Sequence, residues 1–194
     1  MIVYHYTSSW HLPWILASRE LRPPSHSIAD FPSPDFIWAT TDPNGDNTAT
    51  ARTSSRAYRS GGLLQVRFTF EADEFFPWDD VPHRHPQWTE KHIKALEASS
   101  GKSDPRAWRC RPEALDVERA LAIDVRSYSN NKWRSAGNLD VRQAKNMDGS
   151  LWLVMQLDGK VVASKRSLAK FGAEAFEAGT IAVPFESLAV AQKI

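Results

Sequence analysis

Apolar and polar residues alternate most regularly within residues 63–70, where every second side chain from Leu64 to Phe70 is apolar. A period of two predicts a strand that buries one face. Shorter runs rich in β-branched and aromatic residues predict four more strands, at residues 2–7, 36–40, 120–125 and 180–183. These runs are separated by Pro-, Gly- and Asp-rich segments, which are typical of turns and loops.

Helical spacing of apolar residues appears in fewer places. Residues 9–18 read as a helix with Ser9 as its N-cap, and Pro13 is tolerated near the first turn. Similar patterns predict further helices at residues 47–59, 89–99 and 166–176. Strands and helices thus mix along the chain, which predicts an α/β (mixed α+β) fold.

A hairpin is predicted near the carboxyl end. Asp158-Gly159 separates two β-rich runs at residues 151–157 and 160–164, and Asp-Gly favours the tight turns that join antiparallel strands. A shift in composition over residues 135–148 predicts a core at residues 1–135. Residues 136–194 would form a hairpin, helix and strand extension on the same sheet.

Composition narrows the class of protein. The 194 residues are 42% hydrophobic and 24% charged with a net charge of +1, as expected of an ordinary globular protein. No apolar stretch approaches the ~18 residues of a membrane span, and no cationic segment precedes an apolar run at the start. We therefore expect a cytoplasmic protein without a membrane partner. The sequence does not predict its oligomeric state.

Cys110 is the single cysteine, so the chain has no internal disulfide and no multi-cysteine zinc site. Its neighbours Arg109 and Arg111 predict a lowered thiol pKa. Three histidines and one glutamate form a histidine-rich set, which consists of His83, His85, Glu90 and His92. These residue types can bind zinc, but the prolines between them make the spacing a poor match to a zinc site. A surface loop explains this set better, and no metal is predicted.

Two early strands end in polar residues that suit ligand binding. The first contains His5, Tyr6 and Thr7, and the second contains Trp38 and Thr40 and is followed by Thr41. If the strands are neighbours, their ends should converge on one crevice. The alternative is structural: His5 would bond a backbone carbonyl in the core, and the threonines would cap the following turns.

Arginines offer a possible partner for phosphate. Arg52, Arg56 and Arg59 are spaced to share one helix face, which could bind the pyrophosphate of a dinucleotide or a nucleic-acid backbone, or remain a solvated surface. The chain has neither a dinucleotide-binding glycine motif nor a P-loop, so those folds gain no support.

The run "YHYTS", the helix ending "IL…S…LRP" and the strand "IWATTDP" resemble bacterial and phage ADP-ribosyltransferase-like domains. These include DNA-modifying toxins that open with a similar His-x-Thr strand, and RNA 2′-phosphotransferases are distant relatives. The resemblance covers roughly residues 2–42. It implies a bent, split sheet with flanking helices, NAD as substrate, and His5 and Thr7 as NAD-binding residues. Trp38 or Thr40 would line the nicotinamide pocket.

The same resemblance implies a catalytic glutamate at the start of a late strand. Glu118, Asp124 and Glu186 are the candidates, and Glu118 is preferred. The implied reaction is mono-ADP-ribosylation of a macromolecular acceptor, which could be DNA, RNA or protein, in a toxin or phage-conflict setting. The alternative is a non-catalytic nucleotide-binding or protein-interaction module on the same fold.

Overall fold

Short strands paired antiparallel dominate the computed structural model, which describes residues 1–24, 30–46, 56–137, 139–145, 151–168, 174–176 and 181–183. The strands are β1 Ile2–Ser8, β2 Glu20–Leu21, β3 Ile37–Thr40, β4 Gln65–Glu71, β5 Phe76–Pro77, β6 Trp108–Arg111, β7 Leu115–Asp116, β8 Ala122–Arg126, β9 Arg134–Ser135, β10 Val141–Lys145, β11 Leu151–Leu157, β12 Lys160–Leu168, β13 Glu174–Phe176 and β14 Ile181–Val183.

Helices are few and short among the described residues. They are α1 Leu12–Ser18, α2 Arg56–Arg59, α3 Val81–Arg84 and α4 Glu90–Ala98. Single 3-10 turns occur at Ala72–Glu74, Trp78–Asp80, Pro105–Ala107 and Val117–Arg119. The fold is thus mixed α/β with mostly antiparallel sheet, as the sequence predicted at the level of class.

Internal contacts divide the chain into two compact units. The first unit consists of Met1–Tyr6, Glu20–Thr50 and Arg67–Ala122, and the second consists of Thr7–Arg19, Ala51–Val66 and Ile123–Ile194. The proposed boundary between residues 135 and 136 stays a prediction. No helix in the described part of the chain has the length and apolar character needed to cross a membrane.

In the first unit, four strands lie side by side in the order β5-β6-β3-β1, each antiparallel to its neighbour. A cluster of large side chains forms the core, and we call it the aromatic cluster. Its buried members are Phe36, Trp78, Val81, Trp88, Trp108 and Cys110, with Phe31, Trp38, Phe76, Ile93 and Leu96 packed against them. The sequence has eight tryptophans, and four of them pack in this core: Trp38, Trp78, Trp88 and Trp108.

Indole N–H groups in the aromatic cluster find fixed acceptors. Trp88 donates to the carbonyl of Pro34 at 3.1 Å, and Trp78 donates to the carboxylate of Glu97 at 2.9 Å. Trp108 donates to Asp46 at 2.7 Å. A buried indole that lacked a partner would cost free energy, so these bonds stabilise the cluster and fix the orientation of each ring.

The second unit contains the predicted hairpin. β11 and β12 pair antiparallel from Trp152 with Lys165 to Leu157 with Lys160, and β10 and β14 extend the sheet. Asp158 and Gly159 both have positive φ, 54° and 69°, as the tight turn requires. The Asp-Gly hairpin is therefore confirmed, as is the last predicted strand over its described residues Ile181–Val183.

Two helix predictions need correction. Residues 166–168 and 174–176 are strands that pair with each other, so the helix predicted over residues 166–176 is wrong there. Cross-strand pairing outweighs a weak local helical pattern. Helix α1 begins after His11, not after Ser9. The Ser9 hydroxyl instead accepts from the Leu64 amide at 3.1 Å, and His11 occupies the N-cap position.

Candidate functional site

His5 lies on β1 and is held by the neighbouring strand. Its Nδ1 lies 2.7 Å from the backbone oxygen of Trp38, and the ring is half-buried beside Phe68, with ring centroids 6.1 Å apart. A carbonyl oxygen can only accept, so Nδ1 carries the proton and donates. In the neutral ring, Nε2 then has the lone pair. The carbonyl-bonded histidine expected as the alternative is confirmed, and its bond fixes the tautomer.

The direction in which β1 and β3 pair differs from the one that the predicted crevice required. β1 and β3 are neighbours, as predicted, but they are antiparallel with Tyr4 opposite Thr40. Thr41 therefore follows β3 beside the amino-terminal half of β1, so the expectation that the two strands end at one place is wrong. The carboxyl ends of two adjacent strands lie at the same edge of a sheet only when the strands run parallel.

Tyr6, Thr40 and Thr41 all bond the chain around the turn that follows β3. The Tyr6 hydroxyl donates to the carbonyl of Asp42 at 2.9 Å, and Thr40 Oγ1 accepts from the Asp42 amide at 3.1 Å. The Thr41 amide donates to the Ala107 carbonyl at 3.0 Å. Thr40 thus caps the following turn, as the structural alternative predicted.

Trp38 belongs to the margin of the aromatic cluster. Its ring lies 5.4 Å from that of Trp78, and its Nε1 donates to Asp35 Oδ1 at 3.1 Å. Burial raises the pKa of the Asp35 carboxyl, although hydrogen bonds from the Phe36 amide and the Trp38 indole oppose that rise. The indole is therefore fixed by packing and by one carboxyl group, while its backbone oxygen holds His5.

Thr7 contacts a second histidine, His11, which no pattern in the sequence singled out as a site residue. Thr7 Oγ1 lies 3.2 Å from His11 Nδ1, and Ser8 Oγ lies 3.5 Å from the same atom. Burial lowers the pKa of His11, so the neutral ring is favoured near pH 7. A histidine four residues after the threonine, at the start of a helix, is the sequence signal that would have revealed this contact.

The candidate catalytic acids differ in their surroundings. Glu118 is exposed in the 3-10 turn Val117–Arg119, where its amide donates to Asp116 at 2.8 Å. Asp124 is half-buried on β8, opposite Ser135 of β9. Glu186 and the candidate phosphate ligand Arg52 both lie outside the described residues. The roles of all four stay predictions.

A charged cleft in the first unit was not predicted from the sequence. The cleft has a volume of about 520 Å³ and is lined by Asp73, Glu74, Phe75, Phe76, Arg84, His85, Arg111, Pro112 and Glu113. The buried Glu74 carboxylate pairs with Arg111 at 3.2 Å and also with Arg119. One carboxylate thus pairs with two arginines, and no local pattern in the sequence links residues 74, 111 and 119.

Two members of the histidine-rich set, His85 and His92, make structural contacts. His92 Nδ1 accepts from the Thr89 amide at 3.2 Å and so helps to begin α4, while the His85 ring packs 5.3 Å from Phe36. Within the residues that the structure describes, no three histidine, cysteine, aspartate or glutamate side chains form a group that could hold a metal ion.

Cys110 departs from the sequence prediction. The thiol is fully buried in the aromatic cluster, and this burial raises its pKa well above the ordinary value even though Arg109 acts in the opposite direction. The predicted lowering by the flanking arginines is therefore wrong. Removal from water disfavours the thiolate more than the neighbouring charge favours it.

Because only the thiolate attacks disulfide reagents, we expect Cys110 to react with Ellman's reagent at pH 8 very slowly in the native protein. In denaturant, one thiol per chain should react within seconds. The absorbance of the released thionitrobenzoate measures both rates. Complete labelling of the native protein at the denatured rate would contradict the buried, protonated thiol.

Comparison with known proteins adds no relative from which a role could be transferred. No protein family model, no curated protein sequence and no solved structure matches this chain. The candidate site therefore depends on its own geometry and on the resemblance of residues 2–42.

Proposed function

We propose that this protein is an NAD-dependent mono-ADP-ribosyltransferase that modifies a macromolecular acceptor in the cytoplasm. NAD is the substrate in this proposal, and the acceptor is DNA, RNA or protein. The resemblance of the first two strands to ADP-ribosyltransferase-like domains, with their bent and split sheet, motivates the proposal. A toxin or phage-conflict role would follow from that resemblance.

The orientation of His5 is the observation that supports the proposal best. The Trp38 carbonyl accepts from Nδ1–H at 2.7 Å, which fixes the orientation of the ring on β1 before any ligand binds. A polar ring that is already oriented could bond a ribose hydroxyl without reorganisation. Thr7 lies two residues further along the same strand, so its side chain projects from the same face of the strand as that of His5.

The proposed reaction breaks the N-glycosidic bond between nicotinamide and ribose. The electron pair leaves with nicotinamide, an acceptor nucleophile forms the new bond at the anomeric carbon, and the nucleophile loses its proton. A carboxylate that accepts from the ribose hydroxyl would stabilise the positive charge that develops on the sugar. We propose Glu118 for this role, followed by Glu186 and then Asp124.

Transfer of label from radioactive NAD to DNA, RNA and protein acceptors tests the proposal. Glu118→Gln, Asp124→Asn and Glu186→Gln each remove one charge and keep the shape of the side chain. The variant of the true catalytic acid should lose about 100-fold or more in transfer rate and keep its affinity for NAD. Glu113→Gln, which changes another exposed carboxylate, should transfer as fast as the unmodified protein.

The possible results distinguish a wrong assignment of the catalytic acid from a wrong assignment of the activity. If transfer persists at full rate in all three variants, none of these acids is catalytic. If the unmodified protein labels no acceptor but binds NAD, the proposed transferase activity is wrong. The alternative function is that the protein binds a nucleotide or a protein partner without transferring ADP-ribose. The exposed position of Glu118 favours this alternative.

A further inference from the structure

We infer that His11 is a positioning residue, which fixes the Thr7 hydroxyl in one orientation for NAD. The inference rests on the proposed function, because Thr7 is an NAD-binding residue only within that proposal. His11 acts through Thr7 and is not itself assigned a contact with the substrate.

The local chain brings the two side chains together. The His11 amide donates to the Ser8 carbonyl at 3.1 Å, which closes a tight turn between β1 and α1. Ser9 anchors this turn: its amide donates to the Leu64 carbonyl at 2.9 Å, and its hydroxyl accepts from the Leu64 amide. Ser9 is 1% exposed, so the turn is held from within the second unit.

Of the two hydroxyls near His11 Nδ1, that of Thr7 is the better partner. It lies at 3.2 Å, whereas Ser8 Oγ lies at 3.5 Å, the outer limit for a hydrogen bond. In a neutral ring, Nδ1 offers either one lone pair or one proton, so it makes one good hydrogen bond. The shorter distance assigns that bond to Thr7.

The contact determines how Thr7 can meet a ligand. A threonine hydroxyl has one proton and two lone pairs. If the hydroxyl donates to Nδ1, both lone pairs are committed to accepting, as an N–H of the nicotinamide amide would require. If Nδ1–H donates, the hydroxyl keeps its own proton for an oxygen of the ligand. In either case the bond restrains the side-chain torsion that places Oγ1 before binding, which raises affinity by preorganisation.

A double-mutant cycle on NAD affinity tests the inference. His11→Leu and Thr7→Val should each weaken NAD binding about fivefold, the effect of one lost hydrogen bond. The double variant should be no weaker than Thr7→Val, because His11 acts only through that hydroxyl. His11→Asn places an amide near the position of Nδ1 and should recover most of the affinity. Ser8→Ala is the control and should leave affinity unchanged. Calorimetric titration with NAD supplies the dissociation constants.

A second readout needs no ligand. The ¹⁵N chemical shift of His11 Nδ1, measured in the folded protein by long-range NMR correlation, should move in Thr7→Val and stay unchanged in Ser8→Ala. An unmoved shift in Thr7→Val would overturn the His11–Thr7 bond. Additive losses in the double variant, or no recovery in His11→Asn, would overturn the positioning role while NAD binding persists. Failure of the unmodified protein to bind NAD would instead overturn the proposed function and, with it, the role of His11 toward NAD.

Discussion

Replacement of Trp78 by alanine is expected to lower the free energy of unfolding by about 3–5 kcal/mol, the usual cost of truncating a buried tryptophan. Trp78 is 1% exposed, and its ring lies 5.4 Å from Trp38, 5.8 Å from Trp88 and 5.7 Å from Trp108. The substitution would leave a cavity where three other indoles meet. It would also remove the donor to the Glu97 carboxylate.

Urea denaturation followed by circular dichroism measures this change. Trp78→Phe retains much of the ring and loses mainly the bond to Glu97, so it should cost distinctly less than Trp78→Ala. Leu121→Ala is a control at a side chain that is 57% exposed, and its effect should stay within about 0.5 kcal/mol. A cost below about 1 kcal/mol for Trp78→Ala would contradict the central place of Trp78 in the aromatic cluster.

His5→Ala is expected to weaken NAD binding by about 1–3 kcal/mol, or roughly 5- to 150-fold, because the proposed contact between the imidazole and a ribose hydroxyl would be lost. The Trp38 carbonyl would also lose its donor. Calorimetric titration measures the affinity. His5→Gln, whose amide can approach the position of Nε2, should bind NAD more tightly than His5→Ala.

A surface histidine provides the matched control for this experiment. His83 is exposed on α3, so His83→Ala should bind NAD as tightly as the unmodified protein. An affinity of His5→Ala within twofold of the unmodified protein would remove His5 from the proposed binding site. The prediction of His5 as an NAD-binding residue would then be wrong, even if the protein binds NAD elsewhere.

Elements with a strong local signal were predictable from the sequence. The alternation over residues 63–70 became β4, and the Asp-Gly pair became the turn between β11 and β12. Both depend on the chemistry of neighbouring residues: a period of two buries one face, and a glycine allows positive φ. The helix predicted over residues 166–176 failed because cross-strand pairing near Arg166 and Phe176 is not visible in a local pattern.

The candidate site was predictable only as a set of residues. The sequence identified the strand that contains His5 and Thr7, but not that β1 and β3 run antiparallel, which separates their ends. It also could not show that Tyr6 and Thr40 bond the chain at Asp42. Direction of pairing, hydrogen-bond partners and burial arise from residues distant in sequence.

Burial also decided the chemistry of Cys110. The adjacent arginines are visible in the sequence and predict a lowered thiol pKa, whereas the surrounding aromatic cluster is assembled from residues 31 to 108 and raises it. The ion-pair partners of Glu74 are equally distant in the sequence, since Arg111 and Arg119 follow it by 37 and 45 residues. Electrostatic predictions from sequence neighbours therefore hold only where the side chain stays in water.

The most direct test of the proposed function is a crystal structure of the protein with a non-cleavable carbocyclic analogue of NAD. We expect a hydroxyl of the nicotinamide-side ring to lie within about 3 Å of His5 Nε2, with the Trp38 carbonyl still bonded to Nδ1. Thr7 should contact the same ligand, and the acid beside that ring would identify the catalytic residue. A bound analogue that touches neither His5 nor Thr7, or crystals that bind none at saturating concentration, would show that the proposed NAD site is wrong.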